Sequence, residues 1–241
     1  MTATATPQFI SQDWSAYTPE QHEVWSVLYA RRVAALRETA SATFLAGMDA
    51  IGLAPDRLPD LAEVNRRLAP RTGWCAVPVS GFLPAPEFFA CLAQRRFPTT
   101  VTVRPRDQLD YVPEPDIFHD VFGHVPLHAD PVFAAYLQRF GALAAAARDA
   151  AAVQRLARVF WFTVEFGLVR ERGAVKVYGS GLISSHADAA NALGPTCERQ
   201  PFSLKAVMDQ PFAIDRLQDV LFVVESFEEL FGAVEQLGDG R

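Results

Sequence analysis

The stretch PEPDIFHDVFGHVPL, residues 113–127, carries two of the five histidines and decides how the rest of the chain is interpreted. His119 and His124 are five residues apart, which on a regular α-helix turns their side chains about 140° away from each other. They can meet at one metal ion only if the helix ends or loosens between them. Gly123 and Pro126 favour such a change, because glycine frees the backbone and proline removes a hydrogen-bond donor. Taken alone, this spacing fits one surface and one packing histidine better than a metal site.

A second stretch, FWFTVEFGL at residues 160–168, surrounds the single carboxylate of Glu165 with aromatic and aliphatic side chains. A buried carboxylate is costly unless it is paired, hydrogen-bonded or coordinated to a metal. Arg158 or Arg170 could be its partner. Two neutral imidazoles and one carboxylate, with open coordination positions, suit Fe(II) and oxygen. The same donors suit catalytic zinc, so ligand chemistry alone does not select the metal.

The composition limits the class of protein. A chain of 241 residues that is 50% apolar and 21% charged predicts one packed globular domain. A net charge of −6 argues against a nucleic-acid partner. Cys75, Cys91 and Cys197 form no C-x-x-C pair, and neither a signal peptide nor a membrane-spanning apolar run is recognisable. The sequence therefore predicts a soluble, cytoplasmic protein without a membrane partner.

The hydrophobic pattern predicts a mainly α-helical fold with a few short β-strands. A capping box at Thr18, with Gln21 three residues later, starts a helix that the pattern carries to about Gly52. The other expected helices are 59–69, which Pro70 should end, one opened by Pro86, 116–123, 130–147, 150–168 and one capped by Ser226. A strand is expected at 73–79, a hairpin at 172–173 and irregular extended chain at the proline-rich 98–115. Residues 1–17 are interpreted as an N-terminal arm and 18–241 as a single domain.

Three motifs carry a family resemblance: PEPDIFHDVFGHVPL, FWFTVEFGL and VYGSGLISS at residues 177–185. In this order and spacing they closely resemble the catalytic domain of the pterin-dependent aromatic amino acid hydroxylases, nearest to the compact bacterial phenylalanine 4-hydroxylases. The resemblance covers about residues 20–237. It implies that His119, His124 and Glu165 bind Fe(II), and that a tetrahydropterin supplies two electrons for the use of O2. The implied reaction is phenylalanine hydroxylation in a single catalytic domain.

The resemblance also implies a pterin pocket. Phe88 would stack on the pterin ring, Asp120 would face and orient it, and Phe160 stands where many relatives have a tyrosine. The implied pterin-binding residues are Gly81, Phe82, Leu83, Phe88, Asp120 and Phe160. Without the resemblance, the apolar members of this set are more simply read as ordinary core residues.

The amino-acid substrate is expected to meet a separate set of residues. Arg104 would clasp the substrate carboxylate, a task that its planar fork suits, and Asp116 would hold that arginine, cap the metal-binding helix, or do both. Ser184 would in addition accept a hydrogen bond from the His119 ring. The implied substrate-binding residues are Arg104, Asp116, Pro113, Trp161, Gly181 and Ser184.

Several alternatives stay open at this stage. Phenylalanine, tyrosine and tryptophan hydroxylases share the motifs, although the apolar Ile214 favours phenylalanine over tyrosine. The short chain, without a regulatory region or a long C-terminal helix, predicts a monomer. A zinc-dependent hydrolase would use the same three ligands but needs a further acid or base. A non-catalytic binding protein that kept the fold is the remaining alternative.

Overall fold

The computed structural model describes residues 9–110 and 114–239, and this part of the chain holds ten α-helices and six short β-strands. The helices are α1 (Pro19–Thr39), α2 (Ala42–Ile51), α3 (Leu61–Thr72), α4 (Ala85–Ala93), α5 (Pro131–Ala146), α6 (Ala150–Phe160), α7 (Ser180–Ser184), α8 (His186–Leu193), α9 (Leu204–Asp209) and α10 (Phe227–Asp239). The strands are β1 (Cys75–Val79), β2 (Arg96–Thr100), β3 (Leu168–Glu171), β4 (Ala174–Val177), β5 (Glu198–Pro201) and β6 (Val220–Val224). The predicted class, mainly α with a few short strands, is confirmed.

Five further helical turns complete the described chain. Two have the wider π-helical hydrogen-bonding pattern, Phe118–His124 and Trp161–Glu165. Three are 3₁₀ turns, Trp14–Ala16, Arg106–Gln108 and Val125–Ala129. Within the described ranges, no helix combines the length and the apolar character that crossing a bilayer would require.

The first helix begins at the capping box of Thr18, as predicted, but the expected continuation to Gly52 is wrong. The helix ends at Thr39, because Ser41 adopts an extended conformation and donates its backbone N–H to the Val177 carbonyl at 2.9 Å. The Ser41 hydroxyl then caps α2. A hydrogen bond to a distant strand therefore divides the predicted helix in two.

Of the other predicted helices, the one expected over 150–168 is wrong in its last part, because α6 ends at Phe160 and a π-helical turn follows to Glu165. Two further differences concern prolines. Pro70 lies inside the last turn of α3 and does not end it, because a proline there removes only one helical hydrogen bond. The proline-rich stretch contains a strand, β2, that was not expected. The predicted hairpin is present between β3 and β4, where Arg172 and Gly173 both have positive φ. Ser226 caps α10 as predicted.

The strands form two sheets, of which the larger holds Glu165 close to the start of α7. β1 and β2 pair in parallel, and the second sheet has the order β4-β3-β6-β5. β3 pairs antiparallel with β4, while β6 runs parallel to β3 and β5. The Gly167 carbonyl, just before β3, accepts hydrogen bonds from Tyr178 and Gly179, just after β4. This closure ties Glu165, two residues upstream, to the start of α7.

The described part of the predicted N-terminal arm, residues 9–17, packs on the domain. Phe9 forms an isolated antiparallel bridge with Val79 of β1. The Trp14 indole donates to the Leu58 carbonyl at 2.8 Å, and the Tyr17 hydroxyl donates to the carbonyl of residue 101 at 2.7 Å. The boundary between arm and domain at residue 18 stays a prediction.

The first π-helical segment lies in the centre of the hydrophobic core. Phe118 and Phe122 stack on each other with ring centroids 4.5 Å apart, and Trp25 of α1 meets both rings edge-on. On the other side, Gly47 of α2 approaches so closely that a Cβ there would lie 2.1 Å from the Pro126 carbonyl oxygen. The segment with the two histidines is therefore held firmly on its buried side.

One buried histidine outside the predicted site has an unusual environment. The His128 ring stacks on Trp74, with centroids 4.7 Å apart, and packs against Phe97 at 4.9 Å. Neither ring nitrogen finds a hydrogen-bond partner among the described residues. Burial, reinforced by the nearby His124, holds the pKa of His128 well below its usual 6.5. The imidazole is therefore neutral in the folded protein.

Replacing His128 by leucine is expected to stabilise the protein, and more so in acid. Below pH ~6.5 the unfolded chain binds a proton at His128 that the folded chain does not, so the original protein loses up to about 1.4 kcal/mol of unfolding free energy per pH unit. His128→Leu lacks this loss. Its advantage in urea-induced unfolding should therefore widen between pH 8 and pH 5.5. An advantage of the same size at both values would contradict a buried, neutral His128.

Candidate metal centre

The two histidines of the first motif meet because their helix widens. In the π-helical segment Phe118–His124, hydrogen bonds span five residues instead of four, so side chains five apart lie nearly above each other. His119 Nε2 and His124 Nε2 are 3.3 Å apart. The predicted loosening of the helix is confirmed, and it takes the form of a wider turn. The helix then changes to a 3₁₀ turn from Val125, one residue before Pro126.

Glu165 ends a second π-helical segment that was not predicted. The backbone N–H of Phe166 donates to the carbonyl of Trp161, five residues back, at 2.8 Å. The Thr163 hydroxyl, which is fully buried, donates to the carbonyl of residue 159 and shares a 2.6 Å hydrogen bond with the Tyr136 hydroxyl. The first of these contacts gives a partner to a backbone carbonyl at the start of the wider turn.

The three side chains form a group with the geometry of a metal site. Glu165 Oε1 is 3.1 Å from His124 Nε2, and Glu165 Oε2 is 3.6 Å from His119 Nε2. Ligands bound at about 2.1 Å lie about 3.0 Å apart in octahedral and about 3.4 Å apart in tetrahedral geometry. The 3.1 Å separation of Oε1 from His124 Nε2 and the 3.3 Å separation of the two Nε2 atoms match these values, so the donor set fits Fe(II) or zinc. Within the described ranges, this is the one group of three such side chains that could hold a metal ion.

The electrostatic environment keeps this carboxylate charged. Burial by itself raises the pKa of Glu165, but attraction by His124 and His119 and a hydrogen bond from Ser180 outweigh it and lower the pKa to about 2. A deprotonated carboxylate is the form that binds a metal. The side chains of His119 and Glu165 are 22% and 15% exposed while that of His124 is 3% exposed, so the centre is accessible from one side.

The His119 ring is oriented by a serine hydroxyl. Its Nδ1 lies 2.9 Å from the Ser184 hydroxyl, which in turn donates its proton to the Ser180 carbonyl at 2.8 Å. Because the hydroxyl proton is used there, Ser184 accepts the Nδ1 proton of His119. This assigns the lone pair of the ring to Nε2, which faces Glu165 and His124.

The short helix α7 approaches both metal-binding segments through glycines. A Cβ on Gly179 would lie 2.3 Å from the backbone nitrogen of Gly167 and 2.5 Å from the Glu165 carbonyl oxygen. On the histidine side, a Cβ on Gly123 would lie 3.1 Å from the Ser180 carbonyl oxygen. Side chains at these positions would push α7 away, so the glycines allow its serines to reach the ligands.

Arg104 and Asp116 form a buried pair beside the centre. The guanidinium donates from Nε to Asp116 Oδ2 at 2.8 Å and from Nη2 to Oδ1 at 2.9 Å, and its Nη1 donates to the Leu109 carbonyl. Asp116 Oδ1 also accepts from the backbone N–H of His119 at 3.1 Å. The two roles considered for Asp116 are therefore compatible: it holds Arg104 and caps the helix that carries His119.

The residues expected around a pterin fall into two groups. Phe88 and Phe160 meet edge-on with centroids 5.5 Å apart, whereas Phe82 is 87% exposed and no atom approaches within 4 Å of a Cβ built on Gly81. Leu83 is partly exposed. Their contact with a pterin stays a prediction.

Asp120, the remaining member of that set, is buried and points toward β2. Its Oδ2 accepts hydrogen bonds from the backbone N–H and the hydroxyl of Thr100, both at 2.7 Å. Burial raises the pKa of Asp120 despite these bonds and the nearby histidines. Thr100 was missed at the level of sequence, and no local pattern marks it, because it comes from a strand that was itself unexpected.

The residues expected around the substrate ring include a contact that was not anticipated. Trp161 stacks on Phe212 with centroids 4.5 Å apart, and packs against Phe166 at 4.6 Å. A Cβ on Gly181 would lie 3.0 Å from the Phe166 ring. Pro113 lies outside the described residues. Ile214, two residues beyond Phe212, is 80% exposed.

Ser180 is the missed residue that the sequence could have indicated. It lies four residues before Ser184 in VYGSGLISS, so both hydroxyls share one face of a helical turn. Its Oγ donates to Glu165 Oε2 at 2.6 Å.

The geometry of His119, His124 and Glu165 is that of a metal centre with two histidine ligands and one carboxylate ligand. The sequence profile described as biopterin-dependent aromatic amino acid hydroxylase matches residues 12–238. The chain belongs to this family, and the resemblance inferred from the three motifs is confirmed.

Individual relatives agree with this assignment. The chain is 44% identical over 200 residues to a phenylalanine-4-hydroxylase of Caulobacter vibrioides, covering 83% of this chain and 68% of that protein. It is similar to the phenylalanine hydroxylase of Chromobacterium violaceum with iron(III) and 7,8-dihydrobiopterin bound, with a TM-score of 0.90, 39% identity and coverage of 97% and 87% of the two chains. A structure of that enzyme with iron and phenylalanine bound gives a TM-score of 0.89, 37% identity and coverage of 98% and 90%.

Proposed function

We propose that this chain is a phenylalanine 4-monooxygenase, which converts L-phenylalanine to L-tyrosine with O2 and a tetrahydropterin at a mononuclear Fe(II) centre. The observation that carries the proposal is the convergence of His119, His124 and Glu165 on one point, with a partly exposed side. Family membership and the iron in the similar Chromobacterium structures favour iron over zinc. The phenylalanine bound in one of those structures favours this substrate over tyrosine or tryptophan.

The proposed metal ligands are His119 and His124 through Nε2, and Glu165 through its carboxylate. When bound, the tetrahydropterin would supply two electrons for the reduction of oxygen, and iron would be the ion at which oxygen is activated. The contribution of the protein is to hold three ligands on one side of the ion and to leave the opposite positions open. Ser184 keeps the Nε2 lone pair of His119 directed at the ion by accepting the Nδ1 proton.

The proposed pterin-binding residues are Gly81, Phe82, Leu83, Phe88, Asp120 and Phe160. The Phe88 ring is partly buried against Phe160, so one part of it remains free for stacking on a flat ring. Asp120 is held by Thr100, and the pKa of its carboxyl group is raised. This group would accept hydrogen bonds from the N–H groups of the pterin ring.

The proposed substrate-binding residues are Arg104, Asp116, Pro113, Trp161, Gly181 and Ser184. Arg104 has five N–H donors, of which Asp116 and Leu109 use three, so two remain for a carboxylate. Its bidentate contact to Asp116 fixes the plane of the guanidinium, which lowers the entropic cost of binding. Trp161, stacked on Phe212, offers a fixed apolar surface for an aromatic ring.

Three further expectations belong to the proposal and stay predictions. The catalytic iron-binding domain covers residues 18–241 with residues 1–17 as an arm, the protein is a monomer without nucleic-acid or membrane partners, and its location is cytoplasmic. Sedimentation velocity of the purified protein tests the monomer. A dimer at micromolar concentration would contradict it.

The first test of the proposed function is an aerobic assay of the Fe(II)-loaded protein with tetrahydropterin, offered phenylalanine, tyrosine and tryptophan in parallel. Tyrosine is expected from phenylalanine, with tetrahydropterin consumed in step, and His119→Ala should abolish it. Hydroxylation of tyrosine or tryptophan instead would overturn the substrate. Absence of any hydroxylation at full iron occupancy would overturn the function. Hydrolytic activity that depends on bound zinc would then favour the hydrolase.

A further inference from the structure

The Ser180 hydroxyl makes a short contact with the carboxylate of the metal centre. Its Oγ lies 2.6 Å from Glu165 Oε2, a length typical of a hydroxyl that donates to a charged carboxylate. The other acceptor in reach, the carbonyl of residue 164, is 3.5 Å away. Ser180 is 1% exposed. Its single proton is therefore directed to Glu165.

This contact makes the two oxygens of Glu165 different. Oε1 lies 3.1 Å from His124 Nε2, the separation of two neighbouring ligands on one ion, while Oε2 faces Ser180 and is 3.6 Å from His119 Nε2. A carboxylate binds a metal through one or both oxygens. An oxygen that accepts a strong hydrogen bond donates less electron density to a metal, so the contact with Ser180 favours binding through Oε1 alone.

The backbone around Ser180 is held in place, which fixes the position from which its hydroxyl reaches Glu165. Arg32 of α1 is 4% exposed and donates from Nε to the Ile183 carbonyl at 2.7 Å and from Nη2 to the Leu182 carbonyl at 2.9 Å. Ser184 donates to the Ser180 carbonyl. The last turn of α7 is thereby tied to α1, and one short helix contacts both His119 and Glu165.

We infer that Ser180 is a positioning residue that reserves Glu165 Oε1 for the metal and keeps Oε2 off it. One coordination position that a two-oxygen carboxylate would fill then stays open for oxygen. The inference rests on the metal site of the proposed function and adds to it the mode in which Glu165 binds.

The test compares Ser180→Ala with Ser185→Ala after loading with Co(II), whose visible absorption weakens as its coordination number rises. Ser185 is a matched control, because it is in the same segment but its hydroxyl caps α8 through the N–H of Asp188. We expect a weaker Co(II) band for Ser180→Ala, since Oε2 is free to bind, and an unchanged band for Ser185→Ala. Thermal unfolding of the metal-free variants checks that both are folded.

A measurement on the unaltered protein keeps the inference testable if Ser180→Ala does not fold. In infrared difference spectra between the Co(II)-loaded and metal-free protein, a carboxylate bound through one oxygen shows a wide separation of its two stretching bands, and one bound through both shows a narrow separation. A wide separation is expected. A narrow separation, or equal Co(II) bands for Ser180→Ala and the original protein, would overturn the role of Ser180.

The outcomes separate this inference from the proposed function. If the original protein binds no Co(II), the metal site itself is wrong and the inference falls with it. If Co(II) binds and the band responds to Ser180→Ala while no tyrosine forms in the assay, the proposed function fails and the role of Ser180 stands.

Discussion

Replacement of Glu165 by glutamine is expected to lower tyrosine formation about a hundredfold or more and to remove most of the bound iron. The amide keeps the shape of the side chain but has no charge, so it is a weaker ligand and no longer attracts a cation toward His119 and His124. Loss of a residue that only supports a ligand lowers metal affinity or activity about 10- to 100-fold, and loss of the ligand itself should lower them at least as much. Metal content by mass spectrometry and initial rates with phenylalanine measure the two effects.

Glu225→Gln is the matched control for this substitution. Glu225 is exposed and pairs with Arg170 at 3.0 Å, an interaction of little consequence for stability. It should keep full iron content and activity. Full iron occupancy with unchanged turnover in Glu165→Gln would remove Glu165 from the metal site, because no other change in that variant could compensate for a lost ligand.

Replacement of Arg104 by alanine is expected to have two separate effects. Loss of a bidentate contact to the substrate carboxylate should raise the apparent KM for phenylalanine about a hundredfold, while the KM for tetrahydropterin stays near its original value. Asp116, which is 2% exposed, would also be left without its partner, at a cost of about 3–5 kcal/mol of unfolding free energy. Steady-state kinetics with each substrate varied in turn and urea-induced unfolding measure these effects.

A double variant separates affinity from stability. Arg104→Ala/Asp116→Asn removes the unpaired charge but keeps an oxygen that can cap the backbone N–H of His119. It should regain much of the stability without regaining affinity for phenylalanine. Arg106→Ala, which breaks only the exposed pair with Glu23, should behave as the original protein. A normal KM for phenylalanine in Arg104→Ala would show that this arginine does not bind the substrate.

The sequence was sufficient to predict how residues within one contiguous motif lie relative to each other. His119 and His124 were related by helical geometry alone, and the need for a loosened helix followed from their five-residue spacing. The π-helical form of the loosening did not follow, because it depends on how the aromatic face of the segment packs against α1 and α2. Arg104 and Asp116 were singled out from the family resemblance, but their bidentate contact was visible only in three dimensions.

Contacts between distant segments account for the features that could not be predicted from the sequence. The break between α1 and α2 depends on Val177, more than 130 residues away along the chain. Thr100 binds Asp120 from a strand whose proline content argued against a strand. Phe212 reaches Trp161 from a loop with no regular pattern.

For this protein the sequence alone determined the class of fold, the family and the identity of the candidate ligands, because each depends on residue chemistry and on spacing along the chain. Only the tertiary structure decided how those ligands are oriented. The ring tautomer of His119 depends on Ser184, and the Glu165 carboxylate accepts a hydrogen bond from Ser180. Both serines reach the centre because α7 is clamped by Arg32 and fitted closely against glycine backbone, and such packing between segments leaves no local pattern in the sequence.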